Sequence, residues 1–372
     1  NDAIEIAQAI GYEGAGTVEF LVDDKGNHFF LEMNTRIQVE HPVTEKITGL
    51  DIVKEQIDIA QNIPLKHKQE NLTINGHAVE ARIYAENPAQ NFFPSPGNIS
   101  YFQTPAFENV RTDSGIESYA SIPADYDPMI AKITAWGENR EKAISLLKKA
   151  LYASSVIGIH HNLPYLYKIL EQPAFVNNRF STDFIPQNHD QIIEELQIQY
   201  EQVDKNLLLA ACIFINTRNP AENNPGTTWE AVGYWRTFMK WKIYINETPN
   251  EVFFRRRDSQ ITINTEETKK TFMFFQKQKH HLAIQTKDMQ ENIVYTISDN
   301  QTEIVLNGLN YTLYREKSQH TISNKKQKTK NINNEKNIKS PMFGKVLAIN
   351  VGENTTVRKG QTLLVLEEMK MK

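Results

Sequence analysis

The chain has 372 residues, with 41 basic and 45 acidic for a net charge of −4, and a single cysteine. That length holds two or three domains, each with its own core, and the near balance of charge gives no bulk electrostatic reason to bind nucleic acid or an anionic membrane. A mean hydropathy of −0.51 and the lack of any run of roughly 18 apolar residues exclude a membrane-spanning helix. One cysteine permits no intramolecular disulfide and no cysteine-built zinc site, and Cys212, inside LLLAACIFI, reads as a buried small hydrophobe in a reducing compartment.

The start, NDAIEIAQAIGYEG, reads as a short helix capped by Asp2 and stopped at Gly11. A start inside structure, and an end directly after a strand-like run, lead us to expect a piece of a longer polypeptide. TVEFLV (17–22) and HFFLEMN (28–34) alternate as strands around DDKGN, which predicts an antiparallel hairpin. A helical pattern runs from Glu138 to Ser154, so residues 1–185 read as an α+β region closed near Ile185 by Pro186.

Within that region, FLEMNTRIQVEHPVTE (30–45) is the most informative stretch. If extended, it places Glu32, Asn34, Arg36, Gln38 and Glu40 on one face, with Met33, Thr35, Ile37 and Val39 on the other. Glu19 lies across the hairpin, so two carboxylates and the Asn34 amide form an all-oxygen donor set suited to Mg²⁺ or Mn²⁺. Arg36 and Glu40, separated by Gln38, could hold a small anion and accept its proton. A solvated sheet face would show the same alternation, and patterning alone leaves both readings open.

From His189 to about Asn216, apolar residues recur in steps of three or four and predict one long helix. Alternating runs follow, among them KWKIYI, EVFFRR, TFMFFQ, HLAIQT, NIVYTI and TEIVLNGLNYTLY, the last with an Asn307-Gly308 turn. They predict a small antiparallel barrel or sandwich beside that helix, over 186–317. Residues 318–339, with six Lys, five Asn and no aromatic residue, read as a flexible linker. As a random coil its 22 residues span roughly 25 Å.

TVEFL followed by FLEMNTRIQVEHPVTE resembles the carboxyl-terminal part of the biotin carboxylase component of biotin-dependent carboxylases, an ATP-grasp fold. The resemblance continues through GHAVEARIYAENP, NFFPSPG, VRTDSGI, YDPMIAKI and GIHHNLPYL. It implies that Glu19, Glu32 and Asn34 hold metal ions on ATP, with Leu21 lining the nucleotide site. Arg36, Gln38 and the Val39 backbone would cradle bicarbonate. Glu40 would deprotonate it for attack on the γ-phosphate, giving carboxyphosphate, and Arg111 would stabilise the biotin enolate. The glycine-rich ATP lid of the family has no counterpart in these residues, so the chain alone is expected to be inactive.

Residues 340–372, beginning SPMFG and ending LLVLEEMKMK, resemble the start of a biotinyl carrier domain. The resemblance makes Lys370, between Met369 and Met371, the biotinyl-lysine; Glu368 stands where the family usually has Ala. Only the first half of the carrier sandwich is represented, so poor order is expected over 340–372. Residues 186–317 resemble in order and architecture the domain of acyl-CoA carboxylase alpha subunits that docks the carboxyltransferase beta subunit.

The expected architecture is therefore α+β multidomain, with an ATP-grasp carboxylase remainder, a helix plus barrel, and a partial all-β biotinyl domain. Biotin on Lys370, ATP and Mg²⁺ or Mn²⁺ are the implied cofactors. The implied partners are a beta subunit, biotin protein ligase, bicarbonate and an acyl-CoA, with no nucleic acid or membrane, in a bacterial cytoplasm or mitochondrial matrix. Propionyl-CoA is the favoured substrate and 3-methylcrotonyl-CoA or acetyl-CoA the alternatives. A non-catalytic carboxylase-like scaffold is the reading from another class, and a lipoyl carrier is the alternative for the last segment.

Overall fold

The computed structural model describes residues 1–217, 238–264, 269–286, 289–298, 301–315, 345–352, 355–357 and 361–367. The predicted hairpin forms, with Thr17–Val22 antiparallel to His28–Asn34. Its turn is fixed by Asp23, whose Oδ1 accepts from the Lys25 and Asn27 amides at 2.9 and 2.8 Å, and by Gly26 at φ 83°. Glu19 stands directly opposite Glu32, next to a register shift between Glu19 and Phe20.

The extended face expected over residues 30–45 ends at Asn34. A loop follows, then the helix His41–Thr48, closed by Gly49 at φ 76°. Pro42 is the physical reason, because proline has no amide hydrogen for a strand ladder and a φ already suited to the first turn of a helix. Arg36, Gln38 and Glu40 therefore lie in a loop, not on the strand.

A three-stranded antiparallel sheet comes next, in the order His77–Tyr84, Met129–Gly137, Val110–Ser114. Val79, Ala81, Ile83, Ile133 and Ala135 face the helix Arg140–Ala153, whose Ile144, Leu147 and Leu151 complete a core with Ile99 and Val156. Asn139 caps that helix by accepting the Lys142 amide at 2.9 Å. The central strand is buried along both faces, Lys132 and Thr134 included. Its second face is covered by residues 36–48, and there the site is built.

The single long helix expected after residue 189 is two helices, Phe184–Glu201 and Lys205–Thr217. Asp204 divides them: its Oδ1 accepts the Asn206 amide at 3.0 Å, so a second helix is capped where the apolar stripe alone reads as continuous. The boundary expected at Ile185 falls inside the first of these helices, since Pro186 sits in its first turn, where a proline is tolerated.

Eight antiparallel strands then close a barrel, from Met239–Ile245 to Leu309–Arg315, which pair through Ile243↔Arg315 and Ile245↔Leu313. The helix Lys205–Thr217 does not lie beside it. Residues Leu207 to Ile215 are buried all round, as befits a helix apolar on every side, and share one core with Phe254, Phe272 and Leu313 of the strands. Phe214 stacks on Phe274 at 4.5 Å.

The barrel is joined to the α+β region by side-chain hydrogen bonds: Tyr152 to Asn307 at 2.7 Å, and Asn310 to the Val156 carbonyl at 2.7 Å. Near the carboxyl end Lys345–Ile349 pairs antiparallel with Leu364–Glu367. The linker expected at 318–339 lies outside the described residues, as do Lys370 and part of the segment 340–372 whose poor order was expected.

Candidate functional site

Asn34 ends the second hairpin strand with its amide nitrogen between two carboxylates, 2.8 Å from Glu19 Oε1 and 3.2 Å from Glu32 Oε1. Gln38 Nε2 also donates to Glu19 Oε1, at 3.4 Å. Two facing carboxylates repel unless a positive group stands between them, and here the amide hydrogens do so. Cross-strand carboxylates with an amide oxygen on the same residue fit a hard divalent cation such as Mg²⁺. Among the described residues no group of three or more His, Cys, Asp and Glu is arranged to hold a metal ion, so the site is two carboxylates and an amide. Arg36 lies beside them, its guanidinium 3.5 Å from Asn34 Oδ1 and 3.3 Å from the Ile37 carbonyl. Leu21, at 59 % exposure and paired with Phe29, stands on the open part of the hairpin, apart from this cluster.

Glu40, at the start of the helix His41–Thr48, reaches a different set of partners. Arg82 donates to its carboxylate at 2.5 Å. One turn further on, the Glu45 carboxylate is only 8 % exposed, accepts the Ile52 amide at 2.7 Å and takes Arg111 at 2.5 Å. Arg111 is committed on its other edge to Asp113, at 2.9 Å. The guanidinium on Glu40 is thus Arg82, while Arg111, the residue expected to stabilise the biotin enolate, lies against Glu45 and Asp113 and keeps 34 % of its side chain exposed. Both are alternating polar positions of strands, and the sequence pattern gives no means of choosing between them.

Sequence reading also missed Lys132 and Glu80. Lys132 Nζ donates to the Val39 carbonyl at 2.6 Å and lies 3.6 Å from Asp113. Glu80 accepts the Thr134 hydroxyl at 2.8 Å and sits 3.8 Å from Arg82. Burial raises the Glu80 carboxyl above its ordinary range, with the Thr134 hydrogen bond and the Lys132 and Arg82 charges acting in the opposite sense. A lysine inside the apolar run MIAKITAW was the available signal, because a buried ammonium demands an acceptor.

Three family models match the chain: the biotin carboxylase C-terminal domain over residues 80–187, the ATP binding domain of the carbamoyl-phosphate synthase L chain over 1–68, and the biotin-requiring enzyme model over 336–372. The chain thus carries a biotin carboxylase C-terminal domain, with ATP-binding-domain sequence before it and biotin-domain sequence after it. It is 32 % identical over 391 residues to the mitochondrial methylcrotonoyl-CoA carboxylase subunit alpha of Dictyostelium discoideum, covering 99 % of this chain and 54 % of that one. Biotin carboxylase 1 of Bacillus subtilis is 48 % identical over 184 residues, which is 49 % of this chain and 41 % of the relative. A crystal structure of the biotin carboxylase subunit of pyruvate carboxylase superposes with a TM-score of 0.50 at 39 % identity, over 51 % of this chain and 42 % of that one. The chain spans about half the length of these relatives. Among the described residues no helix is long and apolar enough to cross a membrane.

Proposed function

We propose that this chain supplies the bicarbonate-activating site and the biotin carrier of an acyl-CoA carboxylase alpha subunit. The observation that carries the reading is the Glu40 carboxylate, set by Arg82 at 2.5 Å in the loop that also holds Arg36 and Gln38, next to the Glu19–Asn34–Glu32 cluster. A general base, an anion cradle and a cation site then follow one another along nine residues of chain, 32–40.

In this reading Arg36, Gln38 and the Val39 amide bind bicarbonate, which keeps its charge compensated as it approaches the phosphates. Glu40 takes the bicarbonate proton, and the resulting dianion attacks the γ-phosphate of ATP to give carboxyphosphate and ADP. Glu19, Glu32 and Asn34 hold Mg²⁺ or Mn²⁺, which would offset the phosphate charge during attack. Once Glu40 is protonated, its hold on Arg82 weakens, and Arg111, one-third exposed on the same sheet, stabilises negative charge developing on a ureido oxygen. Biotin, joined to Lys370 by biotin protein ligase, would carry the carboxyl group onward.

The acceptor is an acyl-CoA held by a carboxyltransferase beta subunit, with propionyl-CoA favoured over 3-methylcrotonyl-CoA and acetyl-CoA. Relatives named for propionyl-CoA and for methylcrotonoyl-CoA both align with this chain, which supports the class. Residues 1–185 carry the carboxylase site, 186–317 the docking barrel, 318–339 the linker and 340–372 the carrier. The mitochondrial names of those relatives support the mitochondrial matrix, and the Bacillus subtilis relatives the bacterial cytoplasm, as the two candidate locations.

Fixation of labelled bicarbonate tests this in a polypeptide joining these residues to an ATP lid, with its partner, ATP, magnesium and propionyl-CoA. Acid-stable label supports the whole reading, acid-labile label alone moves the acceptor to another acyl-CoA, and no label refutes it. Glu40→Gln is expected to abolish bicarbonate-dependent ATP cleavage while nucleotide still binds.

A further inference from the structure

We infer that Lys132 is a positioning residue, which with His41 fixes two successive peptide planes of the loop 36–40 and so sets the direction of the Val39 and Glu40 amide hydrogens. The inference deepens the bicarbonate reading and rests on it for the identity of the anion; its structural half does not.

The carbonyls on either side of Val39 are both engaged. The Gln38 carbonyl meets His41 twice, from the ring Nδ1 at 2.7 Å and from the backbone amide at 3.3 Å. The Val39 carbonyl accepts Lys132 Nζ at 2.6 Å. A trans peptide is planar with C=O and N–H pointing opposite ways. Fixing the Gln38 oxygen therefore fixes the Val39 N–H, and fixing the Val39 oxygen fixes the Glu40 N–H.

The Lys132 anchor is not a loose surface contact. Lys132 is only 8 % exposed and belongs to the central strand Met129–Gly137, held on one side by His77–Tyr84 and on the other by Val110–Ser114. Its pairing partners are Arg82 and Asp113, so its ammonium stands in a row of three charged side chains across the sheet. Arg82 and Arg111 from that sheet take hold of Glu40 and Glu45 as Lys132 takes hold of Val39. Three cations, one from each strand, thus grip three points within seven residues of chain, 39–45. A short buried ammonium–carbonyl bond resists rotation of the peptide more than a neutral or solvated one does. A preorganised pair of amides at an anion site loses little freedom when the anion arrives, and that is the physical content of positioning.

Two measurements test it. On the chain itself, Lys132→Met is expected to lower the ¹⁵N order parameters of the Val39 and Glu40 amides from rigid-backbone values of about 0.85 toward about 0.6, since the peptide plane between them loses its anchor. In a catalytically complete polypeptide the same change is expected to raise the KM for bicarbonate by about tenfold while the KM for ATP stays unchanged, a split that general unfolding would not give. His41→Ala is expected to lower the order parameter at Val39 in a protein whose sheet is untouched, and it carries the test should Lys132→Met fail to fold. Unchanged order parameters at both amides overturn the inference. Lower order parameters with no bicarbonate-dependent activity in the unsubstituted protein leave the clamp standing and remove the carboxylase reading. Lower order parameters with an unchanged bicarbonate KM overturn its role at the anion.

Discussion

Replacing Arg111 separates two roles that the sequence alone leaves together. Arg111→Met would leave the Glu45 carboxylate, 8 % exposed, with the Ile52 amide at 2.7 Å as its one partner among the described residues. Removing one member of a buried ion pair costs about 3–5 kcal/mol when the remaining charge is fully sealed from water. Arg111 is itself about a third exposed, at 34 %, so water reaches the vacated side and a loss of about 2 kcal/mol is expected. Glu45→Gln is expected to cost less, about 1 kcal/mol, because the orphaned charge is then a guanidinium that keeps Asp113 and touches solvent. Native-state amide exchange along Met129–Gly137 reads the stability of this sheet directly, and 2 kcal/mol corresponds to a fall in protection of about thirtyfold. Unchanged protection together with abolished bicarbonate-dependent ATP cleavage would refute the bracing role and leave Arg111 to the reaction alone.

Two further outcomes follow from buried groups in and beside the barrel. Burial holds His161 down at about 4, with the Asn310 side chain at 3.2 Å opposing that shift weakly. The unfolded chain binds a proton at this residue below about 6.5 and the folded chain does not, so stability is full above pH 6.5 and falls progressively toward pH 4, by about 3 kcal/mol. Urea midpoints measured across that window should flatten in His161→Asn, and an unchanged pH slope would contradict the assignment. Burial also pushes the Cys212 thiol up to about 12, so at pH 8 it stays protonated inside the barrel core. A thiol reagent is expected to label it only after unfolding, whereas fast labelling of the native protein would place it at the surface.

The hairpin was legible because its turn and its period of two act within eighteen residues, 17–34, and together they set Glu19 against Glu32. Alternation beyond Asn34 was not a strand, because Pro42 commits the chain to a helix, yet the loop still returns Arg36 and Gln38 to the cluster. Periodicity also missed the break at Asp204, since an apolar stripe carries through a cap that only the side chain reveals. The barrel strands were readable one by one. Their closure was not, because it depends on Ile243 meeting Arg315 across more than seventy residues.

The same distinction governs the site. In the proposed reading residues 32–40 meet the substrate, while Lys132 holds the Val39 carbonyl and Arg82 and Arg111 hold the Glu40 and Glu45 carboxylates, all from strands far away in sequence. Alternating Arg and Glu on a strand reads equally well as a solvated face, and only the helix His41–Thr48 with the residues before it gives Arg82, Arg111 and Lys132 something to grip. Lys132 carried a signal that the sequence reading did not use, since an ammonium among apolar sequence neighbours has no stable state without an acceptor. A motif can therefore be intact while its loop is displaced, and substitutions in the sheet are expected to change anion affinity with every motif residue in place.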